Sequence, residues 1–150
     1  MNWKEFYDRL DSGTLPNVLL FAGEEALVKQ EALSALEKKL LEPAFAQMNR
    51  MVLEGATAQA IEEAAQTLPM LADRRILTVR DWAVLLPGKC KDEESETERM
   101  LKFLSVPPDT CQLVFFMRSE PDFRKKLPAF LRKQGYEVRF EALSDAEIEK

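Results

Sequence analysis

Apolar positions along the chain switch between a helical and an extended period, and the order of the switches predicts the fold. Trp3, Phe6, Tyr7 and Leu10 form a helical stripe, opened by Asn2 with Glu5 in an arrangement resembling a capping box. Asp11-Ser12-Gly13 and Pro16 break it. Val18-Leu19-Leu20-Phe21-Ala22 is uninterrupted apolar and reads as a strand covered on both faces, as in a parallel sheet. Gly23-Glu24-Glu25 then turns into a helix over about 25–41, with Leu33, Leu36 and Leu40 on one side. A second strand covers 49–53 and ends at Glu54-Gly55. Thr57 is a good N-cap for the next helix. There Ile61, Ala64, Ala65 and Leu68 fall at i, i+3, i+4 and i+7, and Pro69 should stop the helix.

Ile76-Leu77-Thr78-Val79 makes a third strand, short and partly β-branched. Residues 89–99 are almost wholly polar and read as a loop turning into a helix whose inner face is Met100, Leu101 and Leu104. Pro107-Pro108-Asp109 ends it. Gln112-Leu113-Val114-Phe115-Phe116-Met117 is the most hydrophobic strand and so the central one. Phe123, Leu127, Phe130 and Leu131 have helical spacing, with Pro128 near the helix start and Gly135 as its stop. Tyr136-Glu137-Val138-Arg139-Phe140 alternates, as a half-exposed strand nearer an edge does. Five strands alternating with helices predict an α/β domain, a three-layer open sheet, mostly parallel. Ser144-Asp145-Ala146-Glu147 is a capping box with three residues after it. We therefore expect a domain over 1–143 and, over 144–150, the start of a truncated helix leading to a following domain.

Composition narrows the chemistry. The 150 residues carry a net charge of −5, contain no histidine and only two cysteines, Cys90 and Cys111. An acidic domain is poorly suited to holding DNA alone through counterion release. Lacking histidine, it lacks the commonest general base and metal ligand, and two isolated cysteines make no structural zinc site. No catalytic residue, metal or cofactor is expected. With no apolar run near the ~20 residues of a membrane span and no signal peptide, the expectation is a cytoplasmic protein with reduced thiols and no membrane contact. The basic cluster Arg124, Lys125, Lys126, Arg132 and Lys133 reads first as a solvated outer face.

Two corners bear on nucleotide binding. After the first strand, a phosphate-binding loop needs several glycines, a Lys and a Ser or Thr. Gly23-Glu24-Glu25 offers one glycine and two carboxylates, which suit a helix dipole and repel a polyphosphate. The central strand runs into Met117-Arg118-Ser119, where an ATPase would place an acidic pair, and the first carboxylate is Glu120. Between helix and third strand lies Gln66-Thr67-Leu68-Pro69-Met70-Leu71-Ala72-Asp73-Arg74-Arg75. Met70 and Leu71 follow a forced helix stop, so they plug either into their own core or into a partner's.

That stretch resembles the clamp-binding segment of the delta subunit of bacterial DNA polymerase III. The family has a Gln, three variable residues, a pair of large hydrophobic residues, a small residue and a basic one leading into a strand. Here the match is Gln66, Met70-Leu71, Ala72 and Arg74-Arg75. The family pair is commonly Leu-Phe, so Met-Leu keeps volume and apolarity and loses the ring. Gly23-Glu24-Glu25 fits the family too, as the degenerate phosphate-loop position of an NTPase-like module. The resemblance implies an AAA+-like module without a functional nucleotide site, a non-catalytic clamp-loader subunit that binds and helps open the beta sliding clamp. It implies contact through Gln66, Leu68, Pro69, Met70 and Leu71, with Arg74 and Arg75 at the polar rim. Partners would be the clamp, the other clamp-loader subunits and, only within the assembled complex, DNA; the isolated domain would be monomeric. Two other classes stay open: a nucleotide-binding ATPase domain with an unrecognised loop, and a signalling domain, for which Asp81 lacks the required acidic pair.

Overall fold

The computed structural model describes residues 1–141, which build one parallel five-stranded sheet between two layers of helices. In chain order the elements are α1 (Trp3–Ser12), β1 (Val18–Ala22), α2 (Ala26–Leu40), β2 (Arg50–Glu54), α3 (Ala58–Gln66), β3 (Arg75–Arg80), α4 (Glu93–Leu104), β4 (Cys111–Phe116), α5 (Lys126–Lys133) and β5 (Glu137–Arg139). The strand order is β2-β3-β4-β1-β5 with every pairing parallel. This is the three-layer α/β arrangement the apolar pattern predicts, and the most hydrophobic strand, β4, is the central one. The capping box at 144–147 and the truncated helix expected over 144–150 lie outside the described residues.

The period of two sorts each inner strand between two cores. Val18, Leu20, Leu77, Val79, Leu113 and Phe115 face α3, α4 and α5, where Ile61, Met100, Leu104 and Leu127 meet them. Leu19, Phe21, Ile76, Val114 and Phe116 face the other way, onto Phe6 and Leu10 of α1 and Leu33 and Leu36 of α2. Every residue of β1 and β4 is buried, as strands covered on both faces must be. β2 is an edge strand and mostly exposed, including Met51 and Val52.

Local signals explain several helix ends. Asn2 caps α1, its side chain accepting from the Glu5 N–H at 2.8 Å, and Thr57 caps α3 by accepting from the Ala60 N–H at 3.1 Å. One expectation needs correction. α3 ends at Gln66, so Leu68 lies outside the helix and is exposed, while Ile61, Ala64 and Ala65 of the same stripe are buried. Thr67 is the reason. Its backbone turns extended, its N–H returns to Ala64 O at 3.3 Å, and its hydroxyl donates to Glu63 O at 2.9 Å. The helix is therefore closed two residues before the proline could act. The polar run turns from loop into helix as expected, with α4 beginning at Glu93. Its Glu93, Glu94 and Glu96 lie in the first turn, where carboxylates complement the helix dipole.

Candidate functional site

Residues 67–74 connect α3 to β3 and present the large apolar side chains. Leu68 and Leu71 are each 72% exposed and Met70 51%. Gln66 is exposed as well, and Pro69 is half-buried. Single exposed leucines are ordinary, whereas three large apolar side chains within four positions are the kind of cluster that marks a contact surface. Leu71 adopts φ 55°, a left-handed backbone that is uncommon for a branched side chain. The alternative, that the pair closes the domain's own core, does not describe this loop.

The loop is tied down at Met70 and again at Arg74. Asn49, immediately before β2, exchanges two hydrogen bonds with the Met70 backbone, at 2.7 and 2.9 Å. Arg74 donates to Asn17 Oδ1 at 3.0 Å and Gln112 Oε1 at 3.2 Å, and Gln112 in turn donates to Pro16 O at 2.9 Å. Arg75 departs from the expectation. It is the first residue of β3, its N–H bonds Thr110 O at 2.9 Å, and it is buried with its guanidinium against Met51 Sδ. An arginine inside the sheet cannot sit on the rim of a contact. Arg74, half-buried and turned onto side-chain amides, braces the loop.

At the other end of the sheet, the corner after β1 is filled by the chain itself. Gly23 has φ 109°, and a Cβ there would fall 2.4 Å from Phe140 O and 2.7 Å from Phe140 N. Phe140 N donates to Ala22 O at 2.8 Å, and Phe140 O accepts from the Glu25 N–H at 3.0 Å. A carbonyl thus occupies a free N–H at the start of α2, where an anion would bind. Glu24 is exposed, and Glu25 is the N-cap residue of α2 without making a side-chain cap bond. Lys29, 1% exposed, reaches back from α2 to Gly23 O at 2.8 Å and also donates to Met117 O, joining the ends of β1 and β4. Burial pushes its pKa down, against the attraction of Asp81 and Glu120. The carboxylates nearby are engaged: Asp81 with Arg118, and Glu120 with Arg139 at 2.7 and 3.0 Å.

Residues 19–141 match the family model described as DNA polymerase III, delta subunit. The chain belongs to the DNA polymerase III delta-subunit family. Among solved structures it is similar to the DNA clamp loader delta protein of Bacillus subtilis, at 21% identity and TM-score 0.82, over 96% of this chain and 44% of that one. It is also similar to a DNA polymerase III gamma-subunit-related protein of Thermotoga maritima, at 17% identity and TM-score 0.54, over 96% and 47%. The chain thus spans less than half the length of either, and at these identities the likeness establishes the fold. No curated protein matches it by sequence.

Within this delta-family domain much of the remaining charge is paired. The basic cluster is largely paired: Lys125 with Glu93, Lys126 with Glu98, Arg124 with Asp122 and Arg132 with Glu137. Burial pushes the Cys111 thiol up to about 11, so it stays protonated near neutral pH. Among the described residues no three of His, Cys, Asp and Glu converge as a metal site would need, and no helix is long and apolar enough to cross a membrane. Two residues that shape these corners escape a sequence reading: Asn49 and Lys29. Asn49 looks like the first residue of a strand, Lys29 like a surface position of a helix, and neither sits in a recognisable motif.

Proposed function

We propose that this domain is the clamp-contacting part of a clamp-loader delta subunit, and that it works by binding, without catalysis. Leu68, Met70 and Leu71 form an apolar knob that enters a pocket on the beta sliding clamp, with Gln66 and Pro69 beside it and Arg74 bracing it from behind. The observation that carries this reading is the exposure of Met70 and Leu71 on a loop pinned by hydrogen bonds to the sheet. Opening of the ring then follows if the domain fits a distorted clamp interface better than the closed one, a difference in affinity between two states. Other clamp-loader subunits are engaged through the whole protein, and DNA only within the assembled complex. The occupation of the α2 start by Phe140 supports the view that nucleotide hydrolysis belongs to those other subunits.

The magnitude is modest and testable. Fully burying such a side chain is worth about 1.5–3 kcal/mol, and half of Met70 and nearly three-quarters of Leu71 remain to be buried. The pair therefore contributes roughly 2–4 kcal/mol, or about 30-fold to several-hundred-fold in affinity. Met70→Ala with Leu71→Ala should weaken clamp binding in calorimetry by that factor while the melting temperature moves only a few degrees. Equal affinity for both proteins would refute the reading. A large fall in melting temperature would place the side chains in the domain's own core.

A further inference from the structure

The loop's conformation traces to one buried amide. Asn49 ends the short turn Gln47–Asn49 and is 1% exposed. Its Oδ1 accepts from the Met70 N–H at 2.7 Å, its Nδ2 donates to Met70 O at 2.9 Å, and Nδ2 also donates to Phe45 O at 3.2 Å. A carboxamide alone among uncharged side chains offers an acceptor and two donors in one plane. It pairs with Met70 on both sides, as the backbone of a neighbouring strand would. Leaving such an amide buried and unpaired is costly, so its pairing selects one position for Met70. Among the described residues, no other hydrogen bond reaches residues 68–73. The next residue is Leu71 at φ 55°. A left-handed backbone persists at a non-glycine residue only where the surroundings over-determine it, and the Asn49–Met70 pair is the adjacent restraint.

We propose that Asn49 is the positioning residue of the Met70–Leu71 knob, holding it in the shape that the partner's pocket receives so that binding need not order the loop. This rests on the clamp-binding reading above. A knob released from Asn49 spends only part of its time in the competent shape, and the apparent affinity falls by that fraction. Asn49→Ala should weaken clamp binding about tenfold or more. It should also speed hydrogen exchange at the Met70 N–H while amides of β3 and β4 keep their protection.

Asn49→Asp supplies a second readout. Its carboxylate keeps the acceptor for the Met70 N–H, and protonation restores a donor for Met70 O. Burial raises the pKa of such a group. The affinity of Asn49→Asp should therefore recover as pH falls from about 8 to about 5, relative to the wild-type protein over the same range. The test uses the full-length protein, the purified clamp and calorimetry, with amide exchange on the free protein. Should Asn49→Ala fail to fold, the pH dependence of Asn49→Asp decides. If wild-type protein does not bind the clamp, the clamp reading falls and this proposal with it. If wild-type binds and Asn49→Ala binds equally well, or Met70 exchange is unchanged, the positioning proposal alone falls.

Discussion

Gly23→Ala tests how firmly the chain closes its own corner after β1. A Cβ at this position would overlap three backbone atoms of Phe140, at 2.4, 2.7 and 2.8 Å, and none of them is a side-chain end that could swing aside. Relief requires the end of β5 to move. That movement would break or lengthen Phe140 N–H to Ala22 O and Glu25 N–H to Phe140 O, bonds worth about 1 kcal/mol each. The backbone φ of 109° adds roughly 1–3 kcal/mol of strain for any L side chain. The expected loss is about 3–5 kcal/mol, at the upper end of single substitutions. In a chain of this size it lowers the melting temperature by roughly 6–20 °C. Urea unfolding of wild type and variant measures it. A loss below about 1 kcal/mol would refute the reasoning, because Phe140 would then be free to leave. The same experiment bears on nucleotide: with Phe140 fixed, magnesium-ATP should not raise the melting temperature of the wild-type protein, whereas a concentration-dependent rise would show a site there.

Lys29→Met removes the donor shared by Gly23 O and Met117 O. Relief of a buried charge offsets part of the cost, and the net should be about 2–4 kcal/mol of destabilisation by urea unfolding; a stabilised variant would contradict it. Glu137 offers a pH test. Burial opposes its ionisation, but hydrogen bonds from Arg132 at 2.7 and 3.0 Å and from Arg139 at 2.8 Å outweigh it and hold its pKa below the usual value. A depressed carboxyl binds fewer protons in the folded state, so its stabilisation is complete above the unfolded value, about pH 4.3, and is lost as pH falls through the folded one. Glu137→Gln should lower stability at neutral pH and flatten the acid side of the stability curve, and an unchanged acid slope would count against it.

The parts of the fold legible in the sequence are those where one physical signal acts alone. Burial on both faces wrote β1 and the Leu113–Phe116 part of β4 as unbroken apolar runs, and the clean alternation of 136–140 marked β5 as an edge. β2 is also an edge strand, and its Met51-Val52-Leu53 run has no alternation that would mark it as one. At α3 two signals competed. Leu68 continued the helical stripe on paper, but Thr67, by bonding the last carbonyls, ended the helix first. Arg75 looked like rim chemistry because it follows Arg74; it is the first residue of β3, a strand buried on both faces from Arg75 to Val79. Asn49 and Lys29 were invisible because each acts on backbone atoms far along the chain, Met70 and Met117, and contact at that separation leaves no local pattern. The corner at Gly23 was readable as an unlikely phosphate site from its glutamates, while the closer cause, Phe140 lying against Gly23, is a tertiary fact.

The exposed knob is the centre of this account, and methionine methyl resonances report on it directly. The six methionines of the chain include Met70 on the loop and Met100 and Met117 sealed in the core. Titrating purified sliding clamp into protein labelled at the methionine methyl groups should shift or broaden Met70 saturably while Met100 and Met117 hold their positions. Saturable binding that leaves Met70 untouched, or no binding at all, would contradict it.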